Sequence, residues 1–402
     1  EHQSAVNKIE VSPDHSFFLS CSDDGTIKIW DCLRLEKNVI NRSIHTYKCG
    51  PTKVKFICFM ENSYTFAASY TNGTVEFIRI DVTLAKGASQ VRFKRFVPIR
   101  KFSLQPDEYA IFMKHIKTTD ASMLVIATTK SRIIGFDVGT LEENFVLHCP
   151  VSHGIPMCFV VNNKKNWLLL GTSLGVLDLF DLRFLILVKT WTFENPAPIR
   201  SLQIASKSQN ASFFMLGGTS KLEASVWNLE KMTCLEVYSI APVIDQRKSY
   251  RPISFEDSLT GRNKVKFPRM EDPSVKSESL LCMAVESESF KKINSSDRKV
   301  LHNAHILASG TDHKIRFWDS ESVDSCFIVS GLTSESGTPS FFTTYNNSAI
   351  KIVGERFTHK SSSGDNKAHS AYTPRPPRPS VIGTEQQELA KNHQASIVDI
   401  AI

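Results

Sequence analysis

His2, Ser20 and Asp24 are the residue types of nucleophilic catalysis: a hydroxyl, a base, and an acid that orients it. Trp30 follows them in the same segment. A tryptophan taken into a folded interior needs an acceptor for its indole N–H. The four residues therefore read as a hydrogen-bonded structural network and not as a catalytic triad. Ser309, Asp312 and Trp318 repeat most of the set, with a turn one residue shorter. A second nucleophile pattern, Gly171-Thr172-Ser173-Leu174-Gly175, has the GxSxG spacing. A nucleophile elbow needs a strand before the serine and a helix after it. Here Val176-Leu177-Asp178-Leu179-Phe180 follows and alternates as a strand, so the serine falls in a hairpin turn. The phosphate-loop, dinucleotide, zinc-protease, paired-cysteine and protein-kinase signatures do not occur, and the 12 histidines have no ligand spacing. The expectation is a chain with no catalytic residues, no cofactor and no metal, and no enzyme activity of its own.

The elements that must hold these residues are short strands. Residues 2 to 11 lead into a Ser12-Pro13-Asp14 turn, Phe17 to Ser22 make a second strand, Asp23-Asp24-Gly25 a tight hairpin, and Thr26 to Asp31 a third. The pattern returns at Lys53 to Ile78 around Asn72-Gly73, and again at Ile111 to Phe136. Further copies close at Phe180-Asp181, Trp227-Asn228 and Trp318-Asp319, making six complete repeats. Their spacing fits a four-stranded propeller blade of roughly 40 to 45 residues with insertions. His393 to Ile402 aligns with residues 2 to 11 without a gap, so a seventh repeat begins there. In the closing strands, Ile27 and Ile29 point to one face and Lys28 and Trp30 to the other, as do Ile315 and Phe317 against Arg316 and Trp318. A sheet with bulky groups on both faces must be sandwiched between neighbours, which radial stacking achieves. The fold expected is all-β: a single propeller over residues 1–402, of seven blades with the last incomplete in this chain.

The chain has 402 residues, 41% hydrophobic and 22% charged, an ordinary globular composition. The apolar run Phe184 to Val188 is five residues long, closed by Lys189, and far below the roughly 18 needed to cross a bilayer. Glu1 with no apolar segment after it reads as an excised fragment carrying no address of its own. Nine cysteines at spacings of nine residues or more suit a reducing compartment better than a disulfide framework. The net charge of +7 hints at an acidic partner without naming one. Basic residues are offset by acidic neighbours and no recognition module is present, so nucleic-acid binding is not expected.

Three segments break the period. Lys86 to Lys101 interleaves Arg92, Lys94, Arg95, Arg100 and Lys101 with Phe93 and Phe96; it reads as a solvated connecting strand with its aromatics inward, or as a basic contact patch. Residues 243–278 mix both signs of charge and read as an inserted mobile loop, with a basic contact patch as the alternative. Residues 355–392, including Pro374-Arg375-Pro376-Pro377-Arg378-Pro379, read as a flexible linker or insertion before the last blade, with a polyproline ligand as the alternative.

The His2, Ser20, Asp24, Trp30 order is that of WD-repeat blades, although Ile78, Phe136 and Phe180 replace the tryptophan and Leu174 and Lys221 stand where a turn aspartate is usual. His2 to Asp31, Gly171 to Phe184 and Gly310 to Asp319 together resemble the C-terminal WD-repeat propeller of the regulatory subunits of class III phosphatidylinositol 3-kinase, the vacuolar protein sorting serine/threonine kinases, of fungal type. The resemblance implies a non-catalytic scaffold in autophagy and endosome-to-vacuole sorting, with any kinase domain upstream in the parent protein. It implies protein partners, namely the lipid kinase catalytic subunit and coiled-coil subunits. Similarity to G-protein β propellers adds a G-protein α subunit as a further partner. Location would be cytoplasmic, peripheral on endosome and Golgi membranes, with membrane contact only indirect. The rival class is a propeller that binds phosphoinositides directly, but the Arg-Arg-Gly core of that rim motif is missing. Candidate partner contacts on the face carrying the hairpin turns are Tyr70, Asn72, Lys130, Arg132, Leu174, Lys221 and His313, with Arg92, Lys94 and Arg95 as a second surface.

Overall fold

The computed structural model describes residues 2–32, 43–84, 91–118, 121–162, 164–193, 196–204, 213–217, 223–229, 231, 233–239, 253–254, 280–287, 304–310, 315–319, 327–333, 340–345 and 350–353. The first sheet holds β1 (Val6–Val11), β2 (Phe17–Ser22), β3 (Thr26–Asp31) and β4 (His45–Lys48). The second holds β5 (Val54–Phe59), β6 (Thr65–Tyr70), β7 (Thr74–Leu84) and β8 (Val91–Ser103). The third holds β9 (Ala110–Lys117), β10 (Ser122–Thr128), β11 (Arg132–Asp137) and β12 (Glu143–His148). In the fourth, β13 (Pro156–Val161), β14 (Trp167–Thr172), β15 (Leu177–Asp181) and β16 (Ile186–Thr192) follow a 3-10 turn at Val151–His153. The fifth is built from β17 (Ser201–Ile204), β18 (Phe213–Gly217), β19 (Glu223–Asn228) and β20 (Thr233–Ser239). A two-residue strand, β21 (Ile253–Ser254), comes next, followed by the sixth sheet of β22 (Leu280–Ser287), β23 (Ala304–Gly310), β24 (Ile315–Asp319), β25 (Phe327–Thr333) and β26 (Ser340–Tyr345), then β27 (Ile350–Val353).

Each sheet is an antiparallel meander in chain order. Three sheets carry a fifth strand on the outer edge: β21 on β16, β27 on β20, and β26 on β25. The first strands β1, β5, β9, β13, β17 and β22 lie each beside the next, so the sheets stand around an axis as propeller blades. The six complete repeats read from the sequence are these six sheets. The seventh repeat expected at His393, and the linker at 355–392, lie outside the described residues, as does the insertion 243–278 apart from β21.

Packing follows the two-faced pattern of the strands. Leu19, Ile27 and Ile29 of the first sheet meet Ile57, Phe66 and Ile78 of the second. The other face of the second, with Cys58, Ala67 and Phe77, meets Leu124, Ile134 and Phe136 of the third. Val125, Ile133 and Phe145 then meet Phe159, Leu168 and Phe180, and Leu169, Leu177 and Leu179 meet Leu202 and Trp227. Ile78, Phe136, Phe180 and Trp227 each close their repeat and each face the blade before. Trp30, in the same register against Phe18, faces backwards too. It is only half-buried, stacked on Phe18 with ring centroids 6.0 Å apart. That corrects the expectation of a buried Trp30: the repeat that would precede it around the ring is the one announced at His393. Trp227→Ala is expected to cost about 3 to 5 kcal/mol through the cavity left at a fully buried site, and Trp30→Ala about 1 to 3 kcal/mol. Urea unfolding of the two variants checks the order, and equal losses would contradict it.

Candidate functional site

The hairpins between the second and third strands of the blades carry one repeated device. In blade one His2 Nδ1 lies 2.9 Å from Asp24 Oδ2 and His2 Nε2 lies 2.7 Å from Ser20 Oγ, while Trp30 Nε1 donates to Ser20 Oγ at 2.8 Å. The chain of donors runs from indole to hydroxyl to imidazole to carboxylate. Asp24 also accepts from the Gln3 and Thr26 backbone N–H groups and from Thr26 Oγ1. Burial pushes the Asp24 carboxyl up, but the hydrogen bonds from Thr26, Gln3 and His2 outweigh it and hold it well below the usual range. Burial lowers His2 against the pull of Asp24, keeping the imidazole neutral. Ser20 is buried and its oxygen accepts from the Trp30 indole, so this hydroxyl is packed inside the blade and not presented to solvent.

The other blades fill the same place differently. The pairs Cys21↔Ile27, Ser69↔Val75, Ala127↔Ile133 and Gly171↔Leu177 fix equivalent registers. In these registers Lys28, Glu76 and Asp178 occupy one position. In blade two Glu76 accepts from Tyr70 Oη at 2.7 Å and Tyr47 Oη at 3.3 Å. In blade three the buried Glu108 accepts from Thr128 and holds Arg132 through two nitrogens. Burial raises Glu108, but Arg132 and Thr128 override it and keep it ionised. In blade four His153 Nδ1 sits 2.9 Å and Cys149 Sγ 3.3 Å from Asp178 Oδ2, and Thr190 donates to Asp178 Oδ1. Burial pushes the Cys149 thiol up, away from thiolate chemistry. The three ligand atoms of Cys149, His153 and Asp178 lie within 4.8 Å of one another, a spacing a metal ion could use. Hydrogen bonds already join them, and His153 precedes its own blade as His2 does, one register position later. Leu174 does replace the turn aspartate, and the missing acid returns from the strand as Asp178. Sequence reading missed this cluster; the Cys149-x-x-x-His153 spacing just before a blade was its one visible signal.

Two glycines in these hairpins must be glycine. Gly25 (φ 73°) and Gly73 (φ 80°) are left-handed, and a Cβ there would lie 2.5 Å from Gly50 O and Glu108 O of the segments leading to the next blade. The Gly25 and Gly73 carbonyls accept from Cys49 N and Leu104 N, both at 2.9 Å, so each hairpin tethers its own outgoing chain.

Several expected residues change role. Tyr70 is buried with its hydroxyl on Glu76, and Arg132 is largely enclosed against Glu108, so packing and ion pairing take both out of the contact surface. Leu174 is half-buried, while Asn72 and Lys130 are exposed, the latter with Nζ on Pro106 O at 2.7 Å. Arg92, Lys94 and Arg95 are exposed on β8, with Arg95 paired to Asp81. Phe93 and Phe96 turn inward onto His45 and Tyr47, as the connecting-strand reading has it. In blade six, Ser309 pairs with Ile315 and Ala308 with Arg316, which puts Ser309 at the register of Cys21 and Ala308 at that of Ser20. The turn is therefore no shorter than in blade one, and the serine sits one position off. Asp312, His313 and Lys221 lie outside the described residues. In blade five the hydroxyl comes from the tryptophan's own strand and not from the second strand, since Trp227 Nε1 donates to Ser225 Oγ at 2.7 Å.

Among the described residues, the longest exposed apolar run is on blade four. Phe184 (68% exposed), Leu185, Ile186 (53%), Leu187 and Val188 (52%) form the turn after β15 and the start of β16. Leu185 holds a left-handed backbone (φ 57°), a conformation that disfavours bulky side chains. Arg183, bonded to Asp181 through two nitrogens, lies over the Phe184 ring.

Blades built this way define a WD-repeat β-propeller, and residues 1–31 match the family model described as WD domain, G-beta repeat. Beyond that class, the chain is similar to "Serine/threonine-protein kinase VPS15" of Saccharomyces cerevisiae, 31% identical over 57% of this chain and 16% of that protein. It is 26% identical to the protein of the same name from Arabidopsis thaliana over 88% of this chain and 24% of the relative. It is 33% identical to "Probable serine/threonine-protein kinase vps15" of Dictyostelium discoideum over 46% of this chain and 9% of the relative. The chain thus spans between about a tenth and a quarter of the length of these relatives. The similarity bears out the resemblance read from the sequence, without singling out a fungal source. The chain is a WD-repeat region, and the kinase activity in the relatives' names belongs to those whole proteins.

The network of blade one carries a pH dependence. Both His2 and Asp24 are depressed in the folded state, so each contributes stability above its unfolded value and loses it as pH falls. For His2 the loss begins near pH 6.5 and for Asp24 near pH 4. His2→Gln is expected to flatten the fall of the melting temperature between about pH 7 and 5, and Asp24→Asn that below about pH 4. Thermal melts across the range check both, and parallel wild-type and variant curves would contradict the assignment.

Proposed function

We propose that this propeller is a non-catalytic protein-interaction scaffold, part of the regulatory subunit of a class III phosphatidylinositol 3-kinase complex that acts in autophagy and endosome-to-vacuole sorting. The observation that carries the reading is similarity to a VPS15 protein across 88% of the chain. The geometry supports it: the residues of catalytic type in blade one are consumed by internal hydrogen bonds, while exposed side chains of several kinds stand on a rigid frame. Its partners in this reading are the lipid kinase catalytic subunit and the coiled-coil subunits. Its place on endosome and Golgi membranes comes through the assembled parent protein.

Full-length protein carrying this region, co-expressed with the lipid kinase and coiled-coil subunits, is expected to co-purify with them. Excising the region should lower recovery at least about tenfold, a difference of about 1.4 kcal/mol in association. Undiminished recovery would remove the reading. Lys130→Glu on the turn face and Arg92→Glu with Lys94→Glu on β8 then report which surface contributes.

A further inference from the structure

We propose that Cys149, His153 and Asp178 hold a zinc ion that clasps the end of blade three to blade four, through the thiolate sulfur, the imidazole Nδ1 and the carboxylate Oδ2. The proposal goes beyond the scaffold reading and does not depend on it.

The three ligands reach one place by three routes. Cys149 directly follows β12, and its N–H donates to Ser131 O at 2.9 Å. His153 ends the 3-10 turn that leads into blade four, with its N–H donating to Pro150 O at 2.9 Å. Asp178 lies within β15, where ladder pairing with Leu170 and Thr190 fixes its register. All three side chains are buried. Neighbouring ligand atoms of a tetrahedral zinc, with bonds of about 2.0 to 2.3 Å, stand about 3.4 to 3.6 Å apart. Here Nδ1 to Oδ2 is 2.9 Å, Sγ to Oδ2 is 3.3 Å, and all three atoms lie within 4.8 Å of one another. Side-chain shifts of about 1 Å place an ion among them. One sulfur, one imidazole nitrogen and one carboxylate oxygen suit zinc, and do not suit magnesium or calcium, which take oxygen ligands.

Two features separate this cluster from the network of blade one. There the histidine rests on Ser20, whose hydroxyl also accepts from Trp30. The ladder registers put Leu170 at the position of Ser20 and Phe180 at that of Trp30, so blade four has neither that hydroxyl nor that indole. In their stead a thiol reaches the same carboxylate oxygen as the imidazole. The second feature is charge. Glu108, the buried acid of blade three, is balanced by Arg132. Asp178 is fully buried against His153, Cys149 and Thr190, and among the described residues no lysine or arginine pairs with it. A zinc ion bound by one carboxylate and one thiolate leaves no net charge in that interior. Thr190 Oγ1 donates to Asp178 Oδ1 at 2.8 Å, which turns Oδ2 toward the site, as a hydrogen bond behind a metal ligand does. Phe159, Leu168, Leu170 and Phe180 pack with Cys149 as an apolar wall. Burial holds the thiol protonated until the ion arrives. The S–H bond then breaks, the S–Zn bond forms, the proton passes to solvent, and water takes the fourth position.

The test measures metal in the full-length protein carrying this region, after dialysis against metal-free buffer. Elemental analysis is expected to find one more zinc per chain in the wild type than in Cys149→Ser or Asp178→Asn. Cobalt(II) exchanged for zinc should give a sulfur-to-metal absorption band that Cys158→Ser keeps and Cys149→Ser lacks. Thr190→Val should weaken zinc binding about tenfold. His153→Cys replaces one ligand by another, so it should retain the zinc and strengthen the cobalt band, which a cluster held only by hydrogen bonds would not do. That variant decides the matter if Cys149→Ser and Asp178→Asn do not fold. Zinc that dialysis removes from the wild type would be an adventitious ion only, and overturns the proposal. Equal zinc in the wild type and in folded Cys149→Ser puts the ion elsewhere and overturns it too. None of these readouts involves the lipid kinase or coiled-coil subunits, so the scaffold reading stands or falls separately.

Discussion

The second, third and fourth sheets have apolar side chains on both of their faces, and a sheet of that kind gains stability only when both faces are covered. Ile78 faces the first blade while Ala67 and Phe77 face the third; Phe136 faces the second while Val125 and Ile133 face the fourth. Alternation along a strand leaves no freedom here, since a one-residue slip would exchange the two sets. The order of the blades, the direction of each closing residue and the position of every hairpin follow from that one requirement. The polar residues near the hairpins are then carried to places they did not choose.

At those places the blades show several answers to a single problem, which is how to bury a carboxylate beside a hairpin. Blade one uses histidine, serine and tryptophan; blade two, two tyrosines; blade three, an arginine and a threonine; blade four, a histidine, a thiol and a threonine. Each acid has enough donors to remove the penalty of leaving water. What persists between blades is satisfaction of the charge and not the identity of the partners. This explains how degenerate repeats keep one architecture.

The same distinction governs what could be read from residues alone. Strand alternation and the Asp23-Asp24-Gly25 and Asn72-Gly73 turns are local features, so the blades, their number among the complete repeats and the direction of Phe93 and Phe96 were legible. Register was less so: Ser309 resembles Ser20 by distance along the chain, yet ladder pairing sets it at the position of Cys21. Tyr70 ends β6 and Arg132 begins β11, each beside a hairpin turn where exposure is the usual expectation, but Glu76 and Glu108 come from other segments to enclose them. The run Phe184 to Val188 was visible as apolar, and only its placement at a corner shows that it meets solvent. Properties that arise between distant segments stay hidden until the segments are placed.

The borrowed outer strands have a mechanical consequence. Residues 253–254 leave blade five and pair back onto blade four, and residues 350–353 leave blade six and pair back onto blade five. The peptide chain therefore doubles back over ground already passed, like a lockstitch, fastening blades four and five each to a later stretch of thread. Tension applied to the region after residue 254 would be borne first by a blade completed more than 60 residues earlier, where Thr192 ends its strand. A cut in the intervening thread would leave both ends pinned.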